Sequence, residues 1–153
     1  MTTQLQRVLL DALDDERKAQ ATYAAVIAKF GPVRPFINII EAEQRHSRAI
    51  ERQLARLGIP IPEDRWKDRV EPPATLAAAC ESAVEAEIEN IALYDRLMPQ
   101  IADDAVRRVF GNLQAASRDN HLPAFRRCLT RESGAGGRGC GGGGRGRRGR
   151  RTH

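Results

Sequence analysis

Five ionisable residues in this chain of 153 residues have the types and the spacing that a buried metal site requires. With a step of about 100° per residue, they fall at the centres of apolar helix faces, where charged side chains are uncommon. Three are glutamates and two are histidines: Glu16, Glu43, His46, Glu87 and His121. Because no lysine or arginine lies on the same faces, a metal ion is the simplest source of balancing charge. Oxygen and nitrogen ligands without thiolate favour iron or manganese over a structural zinc.

The same residues allow two interpretations without a metal. A single histidine on an apolar face is most often a core histidine with satisfied hydrogen bonds, and a single glutamate can lie at a helix–helix rim. Alternatively, burial and mutual repulsion raise the carboxylate pKa values until some of the carboxyl groups are protonated. The chain is then a helical interaction module that keeps the fold without the chemistry.

Two tyrosines follow glutamates at the same spacing. Tyr23 lies seven residues after Glu16, and Tyr94 lies seven residues after Glu87. This repetition indicates two copies of one helical hairpin, facing a common central site across a pseudo-twofold axis. Each tyrosine is predicted to donate a hydrogen bond to a carboxylate of a neighbouring helix, behind the metal ligands. Plain core packing is the equally supported alternative for both.

Four long helices are predicted to position these residues. Apolar periodicity, together with glycine, proline and aspartate signals at the helix ends, gives ranges of about 5–30, 35–57, 74–98 and 103–131. The first two helices, and likewise the last two, are joined by about four residues, which favours antiparallel neighbours. About 14 residues, Gly58 to Glu71, separate the second and third helices, and Trp66 is expected to be a hydrophobic pin that holds this crossover against the body. The sequence therefore predicts an all-α four-helix bundle of two hairpins and one long crossover.

These helices and their polar residues resemble the ferritin-like superfamily, in particular its rubrerythrin-type branch and small bacterial ferritin-like domains of unassigned function. That superfamily carries a Glu on helices one and three and a Glu-x-x-His on helices two and four. The resemblance covers about residues 5–129 and includes all five candidate ligands, with Glu43-x-x-His46 as the complete motif. It implies a ferritin-like bundle that binds iron or manganese, with an oxidoreductase acting on oxygen or peroxide as the related activity.

Two positions depart from the superfamily pattern. Arg118 stands three residues before His121, where the fourth glutamate is expected, and Asn90 replaces a further carboxylate. Three carboxylates leave two divalent ions with an excess of one positive charge, and Arg118 is expected to add to that excess from the edge of its helix face, angled towards solvent. The charge balance therefore favours one ion per chain over two.

A tail rich in glycine and arginine is predicted to follow the bundle. We place the bundle at residues 1–132 and a disordered basic tail at 133–153. From Arg131 onward the chain has seven arginines, one glutamate and ten of its 13 glycines, while residues 1–130 hold 18 basic and 19 acidic side chains. The tail can bind nucleic-acid phosphates or other anions electrostatically, but it has no aromatic side chain to stack on bases. A solvated extension without a function is the slightly preferred alternative.

The cysteines and the absence of targeting signals bear on location. Cys80 and Cys128 are predicted to be small core residues on apolar faces, and Cys140 an exposed free thiol. Three scattered cysteines suit neither a disulfide scaffold nor a zinc ribbon, and the sequence has no signal-peptide pattern or membrane-spanning apolar run. A cytoplasmic protein is the resulting expectation. Since ferritin-like bundles often pair, a homodimer is a further one.

Overall fold

The computed structural model describes residues 3–138, with side chains described as far as residue 134, and its regular elements are helical throughout. The five α-helices are α1 (Gln4–Phe30), α2 (Phe36–Arg56), α3 (Leu76–Leu97), α4 (Asp104–Ala116) and α5 (Leu122–Arg138). A 3₁₀ turn (Met98–Gln100) follows α3. A π-helical turn (Ser117–His121) joins α4 to α5, and α4, this turn and α5 together correspond to the fourth predicted helix. Within the described part of the chain, no helix is long and apolar enough to cross a lipid bilayer.

Polar caps and one glycine explain where the helices begin and end. Thr3, Thr75 and Asp103 precede α1, α3 and α4, and each side-chain oxygen accepts a hydrogen bond from the backbone N–H three residues later. These bonds satisfy donors that have no partner within the helix. At the other end of α1, Gly31 adopts a φ of 86°, which favours glycine, and its N–H closes the last turn.

Two apolar clusters determine how the helices pass one another. The first combines the start of α1 with the ends of α2 and α3 and with α4, and its members include Leu9, Leu54, Leu97 and Phe110. The second combines the end of α1 with the starts of α2 and α3 and with α5, and its members include Tyr23, Phe36, Ala83 and Phe125. The two helices of each hairpin are therefore antiparallel. Since α2 ends at the first cluster and α3 begins at the second, residues 57–75 must cross the length of the bundle, as the sequence predicts.

The crossover is attached to α1 through polar contacts as well as through the tryptophan ring. Asp14 accepts a hydrogen bond from the indole Nε1 of Trp66 at 2.9 Å and two from the guanidinium of Arg65, each at 2.7 Å. The Arg65 contact is the main reason why the pKa of Asp14 is lowered. The ammonium of Lys18 lies 5.3 Å from the centre of the indole ring. Trp66 thus contacts the body as predicted, but through a hydrogen bond to Asp14 rather than as a purely hydrophobic pin.

The last helix extends further than the sequence predicts. We expected it to end near Arg131, but α5 continues to Arg138, past the predicted start of the tail at residue 133. Apolar periodicity ends with the residues that pack, whereas each further helical residue adds a backbone hydrogen bond without needing an apolar contact. Residues 139–153 lie outside the described part of the chain, and with them most of the predicted tail, including Cys140. The tail's anion binding and the homodimer stay predictions.

Cys80 and Cys128 form a disulfide, which corrects the prediction that they are merely small core residues. The bond joins α3 to α5 across a Cα–Cα distance of 5.8 Å, and both residues are fully buried. Spacing along the chain gave no sign of this pair, because the two helices that bring the residues together meet only in the folded bundle. Stable disulfides are rare in a reducing cytoplasm, so the cysteine-based argument for that location loses its support.

Candidate metal centre

The five predicted ligands lie together in one layer between the two apolar clusters. Their side chains come from four different segments of the bundle: α1, α2, α3 and the π-helical turn. All five residues are at least nine-tenths buried: Glu16, Glu43, His46, Glu87 and His121. By contrast, three glutamates that the same periodicity places on the outer face of α3 are exposed: Glu81, Glu85 and Glu89. Helical phase alone therefore separated the buried carboxylates from the solvated ones.

The ligand atoms form two overlapping groups that share Glu43. The first half-site consists of Glu16, Glu43 and His46, and the second half-site consists of Glu43, Glu87 and His121. Within each half-site the candidate ligand atoms lie within 4.8 Å of one another, so that one ion can contact all three residues. The two imidazole rings stack with their centroids 5.4 Å apart. Glu43 thus stands between two positions, and both its oxygens face an imidazole nitrogen.

Four buried polar atoms of this layer have no hydrogen-bond partner among the described residues. They are Glu43 Oε2, His46 Nδ1, Glu87 Oε2 and His121 Nδ1. The two Nδ1 atoms lie 3.1 to 3.5 Å from carboxylate oxygens, but without hydrogen-bond geometry. Folded proteins leave few buried polar atoms unpaired, and each such atom has an energetic cost. All four belong to predicted ligands, and a coordinated ion would use these atoms.

The arginine nearest in sequence to the layer does not neutralise it. Arg17 follows Glu16 on α1 and is itself 8% exposed. Its guanidinium donates to the backbone carbonyl of Pro62 at 2.8 Å and pairs with Glu51 at 3.3 Å, both of them outside the layer. Among the described side chains, the ion pairs of the three core glutamates are formed with the two histidines alone. The layer therefore has no permanent positive charge of its own.

The two tyrosines support carboxylates in a reciprocal arrangement. Tyr23 of α1 donates its hydroxyl to Glu87 Oε1 of α3 at 2.8 Å, and Tyr94 of α3 donates to Glu16 Oε1 of α1 at 2.5 Å. Burial and the neighbouring carboxylates raise the pKa of both hydroxyls, which therefore remain protonated donors. Such contacts orient a ligand and fix which of its oxygens is free. The repeated spacing of glutamate and tyrosine thus corresponds to two reciprocal hydrogen bonds, in which a tyrosine of each hairpin donates to a glutamate of the other.

Arg118 points away from the centre, and Ser117 takes the inward position. The Arg118 side chain is 56% exposed and pairs with Asp119, so its charge does not act on the core as the sequence suggested. Ser117 is buried on the face of His121 within the π-helical turn, and Arg118 lies at the solvent-facing edge, as helical phase indicates. Pro123 explains the π-helical turn. Proline has no N–H to donate to the backbone carbonyl of Asp119, four residues earlier, and its ring crowds that carbonyl.

A neutral hydrogen-bonded pair occupies the wall where a fourth carboxylate was expected. Ser117 Oγ donates to Asn90 Oδ1 at 2.8 Å. The Asn90 amide donates to Asp15 at 2.7 Å and to Glu16 Oε1 at 3.3 Å. Both polar residues are at most 5% exposed. Sequence reasoning places Asn90 where a further carboxylate is expected and Ser117 on the inward helix face, but it does not predict the hydrogen bond between them.

The pKa values of Glu16 and Glu43 shift in opposite directions. Burial, followed by the negative charge of Glu43, raises the pKa of Glu16 to about 7. Burial also acts to raise the pKa of Glu43, but its contacts with Glu16 and the two histidines outweigh that effect and lower it. Without a metal, Glu16 therefore carries a proton over part of the neutral pH range, while Glu43 is ionised. Glu43, which both half-sites share, is therefore the carboxylate that is ionised before a metal binds.

Both histidines are protonated when no metal is bound. Burial lowers the pKa of His46, but Glu16 and Glu43 outweigh burial and raise it to about 9. For His121, Glu43 and Glu87 outweigh burial in the same way and raise the pKa to about 10. Protons thus supply the positive charge that a bound ion would supply, and metal binding must displace them.

We expect the metal-free protein to lose stability as the pH rises from 6.5 to about 9. In this range the folded protein keeps protons on His46 and His121 that the unfolded chain has released, because the ordinary pKa of histidine is 6.5. Unfolding therefore releases protons, and the free energy of unfolding falls as the pH increases. Each pKa unit corresponds to about 1.4 kcal/mol, so we expect a loss of several kcal/mol. Urea denaturation of chelator-treated protein at both pH values measures it.

A double variant with glutamine in place of both histidines, H46Q/H121Q, is the control for this effect. It should lose most of the pH dependence, because the groups that titrate in this range are gone. If the natural protein instead became more stable as the pH rose, the imidazoles would have to be neutral in the folded metal-free state.

The arrangement of helices is similar to that of a solved archaeal protein. The crystal structure of the hypothetical protein MJ0754 from Methanococcus jannaschii matches with a TM-score of 0.77 at 22% sequence identity, over 87% of this chain and 83% of that chain. Identity at this level shows a similar fold and carries no ligand or activity across. No protein-family model and no curated protein matches the chain.

Proposed function

We propose that this chain is a ferritin-like metal-binding protein that holds iron or manganese in the bundle core. One observation carries the proposal: four buried atoms of the predicted ligands have no hydrogen-bond partner among the described residues and lie within two candidate ligand groups. Hydrogen bonds from Tyr23 and Tyr94 to the outer sides of two carboxylates support it, because such contacts commonly orient metal ligands. The order of ligand types along the four helical segments matches that of ferritin-like proteins except at Arg118, where those proteins carry a fourth glutamate.

One tightly bound ion per chain fits the charges of the layer best. Three carboxylates neutralise one trivalent ion, whereas two divalent ions would leave an excess positive charge in a core of low dielectric constant. Glu43 is shared, so an ion in one half-site reduces what this residue offers to the other. We assign the tight ion to the first half-site, because Glu16 is fixed there by both Tyr94 and Asn90. A second ion binds more weakly in the second half-site.

Ligand chemistry and burial also limit the reaction class. The donor atoms are carboxylate oxygens and imidazole nitrogens, which suit iron and manganese. When bound, these ions can exchange electrons with oxygen or peroxide, and we propose an oxidoreductase reaction of this class. The ligands are at most 8% exposed, which favours small reactants such as oxygen or peroxide over larger substrates. The tyrosine hydroxyls stay protonated, and their hydrogen bonds would hold Glu16 and Glu87 in place around a bound ion.

Metal analysis of the full chain, purified both aerobically and anaerobically, tests the proposal. We expect one tightly held iron or manganese ion per chain in at least one preparation, measured by mass spectrometry of the element. The Arg118→Ala variant is the matched control, because its side chain is exposed and lies outside the layer. It should contain as much metal as the natural protein.

Two outcomes would contradict the proposal. If neither preparation contains metal, and none binds when iron or manganese is added anaerobically, the metal-free helical interaction module becomes the better description. If Arg118→Ala loses as much metal as variants of the core ligands do, the ion is bound elsewhere than in this layer.

A further inference from the structure

The Cys80–Cys128 disulfide joins the two helices on either side of the second half-site. Cys80 lies on α3, which supplies Glu87, and Cys128 lies on α5, which begins directly after His121. Each cysteine is seven residues from the ligand of its segment, about two helical turns or roughly 10 Å along the axis. The cross-link and the two ligands therefore lie along one seam between α3 and α5.

Packed aromatic side chains fill the space near this seam. Tyr23 donates to Glu87 Oε1, and its ring lies 5.0 Å from the ring of Phe125, measured between centroids. Tyr23, Phe125 and both cysteines belong to the second apolar cluster. A change in the distance between α3 and α5 at the disulfide would therefore act on the hydrogen bond that holds Glu87.

The π-helical turn makes the position of His121 depend on what holds α5. Its hydrogen bonds run to the fifth residue back, as between the Leu122 N–H and the Ser117 carbonyl, and such turns are rare interruptions of an α-helix. α5 can therefore shift relative to α4 more readily than two parts of one regular helix. A covalent link from α5 to α3 restricts that shift.

The first half-site has no comparable link. Its ligands come from α1 and α2, and the sequence has no cysteine in either helix. The hairpin is closed instead by the short connection after Gly31 and by packing along the whole length of the two helices. The helices that carry the second half-site are thus joined by a covalent bond, whereas those that carry the first half-site are held by packing and a short loop.

We propose that the Cys80–Cys128 disulfide positions Glu87 and His121 and so sets the metal affinity of the second half-site, whereas the first half-site is independent of it. This rests on the metal-binding function proposed above. Opening the bond requires a two-electron reductant: the S–S bond breaks, two thiols form with two electrons from the reductant and two protons, and the reductant is oxidised, a dithiol to its disulfide or a phosphine, with oxygen from water, to its oxide. Because both sulfurs are buried, the reductant reaches them only when α3 and α5 separate locally.

The test measures each half-site separately in the full chain. His46→Ala removes a ligand of the first half-site alone, and His121→Ala removes a ligand of the second alone. Each is combined with C80A/C128A and compared with the same variant that keeps both cysteines, and all carry C140A to prevent exchange with the third thiol. Anaerobic titration with Co²⁺, followed by its visible absorption, gives the affinity of the remaining half-site.

We expect loss of the disulfide to weaken Co²⁺ binding about tenfold or more in the His46→Ala background, as for other groups that position metal ligands. In the His121→Ala background the Co²⁺ affinity should change less than about twofold, well below the tenfold loss expected for the second half-site. The Co²⁺ absorption band should change shape in the first case alone, because ligand geometry changes there. General destabilisation of the bundle would instead weaken both half-sites together.

Reduction of the natural cysteines is the second measurement, in case the double alanine variant folds poorly. The two histidine variants are kept with a phosphine reductant from purification onwards, and circular dichroism checks that each is folded. Equal weakening of both half-sites, or no weakening of the second, overturns the proposal and leaves the metal-binding function intact. If the natural chain binds no Co²⁺ in either redox state, both proposals fail together.

Discussion

Glu43→Ala is expected to abolish tight metal binding, since this single change removes a ligand from both half-sites. Glu43 is 2% exposed, and its two oxygens face His46 Nδ1 and His121 Nδ1 respectively. Loss of a group that merely orients a ligand already costs roughly 10- to 100-fold in metal affinity. For a shared ligand we therefore expect a loss beyond about 100-fold, measured as the metal content after dialysis and by anaerobic titration.

Glu41→Ala is the matched control for that experiment. Glu41 lies two residues earlier on α2, has the same side chain and is exposed. Its variant should keep the full metal content. Retention of tight metal by Glu43→Ala would show that the two half-sites do not share a ligand, and would leave the unpaired atoms of the layer unexplained.

Asn90→Asp is expected to recruit a second ion. The Asn90 amide lies 3.3 Å from Glu16 Oε1 and stands where the resemblance predicts a further carboxylate. Aspartate has almost the same shape and adds one negative charge, so four carboxylates can balance two divalent ions. In an anaerobic iron titration we expect a break at one equivalent for the natural chain and at two for the variant. Without metal, the new carboxylate faces Asp15 and Glu16, so the variant should unfold at a lower temperature.

Arg118→Glu separates the effect of charge from that of position. It changes the net charge of the chain in the same direction, and sequence spacing alone would place the new carboxylate in the metal site. Because the Arg118 side chain is more than half exposed, we expect this variant to keep the natural stoichiometry. A clean break at two equivalents in the natural chain would contradict the charge argument, and Ser117, Asn90 or an external anion would have to complete a second position.

Local sequence signals were sufficient for the helices and for the composition of the buried layer. The capping residue Asp103 and the glycine at Gly31 act over three or four residues, so a linear sequence contains everything needed to locate them. The same holds for helical phase. A step of about 100° per residue decides whether Glu43 or Glu41 faces the core, without reference to any other helix.

Contacts between helices were predictable where the chain repeats itself. The spacing of Glu16 and Tyr23 recurs in Glu87 and Tyr94, which implied two equivalent hairpins. The structure shows a reciprocal pair of hydrogen bonds, each from a tyrosine of one hairpin to a glutamate of the other. The repetition indicated that such contacts exist, whereas only the folded bundle shows which oxygen accepts each bond and which is left free.

The sequence by itself determined the all-helical fold, the long crossover and the five side chains of the central layer, because each depends on periodicity or on a local signal. The tertiary structure decided which groups surround that layer. Helical phase already places Ser117 on the inward face and Arg118 at its solvent-facing edge, but only the folded bundle shows that Ser117 pairs with Asn90 and makes this wall of the layer neutral. The Cys80–Cys128 bond joins residues that are 48 positions apart. Both features depend on the register between helices, which is set by side-chain packing across the bundle and has no counterpart in the spacing along any one helix.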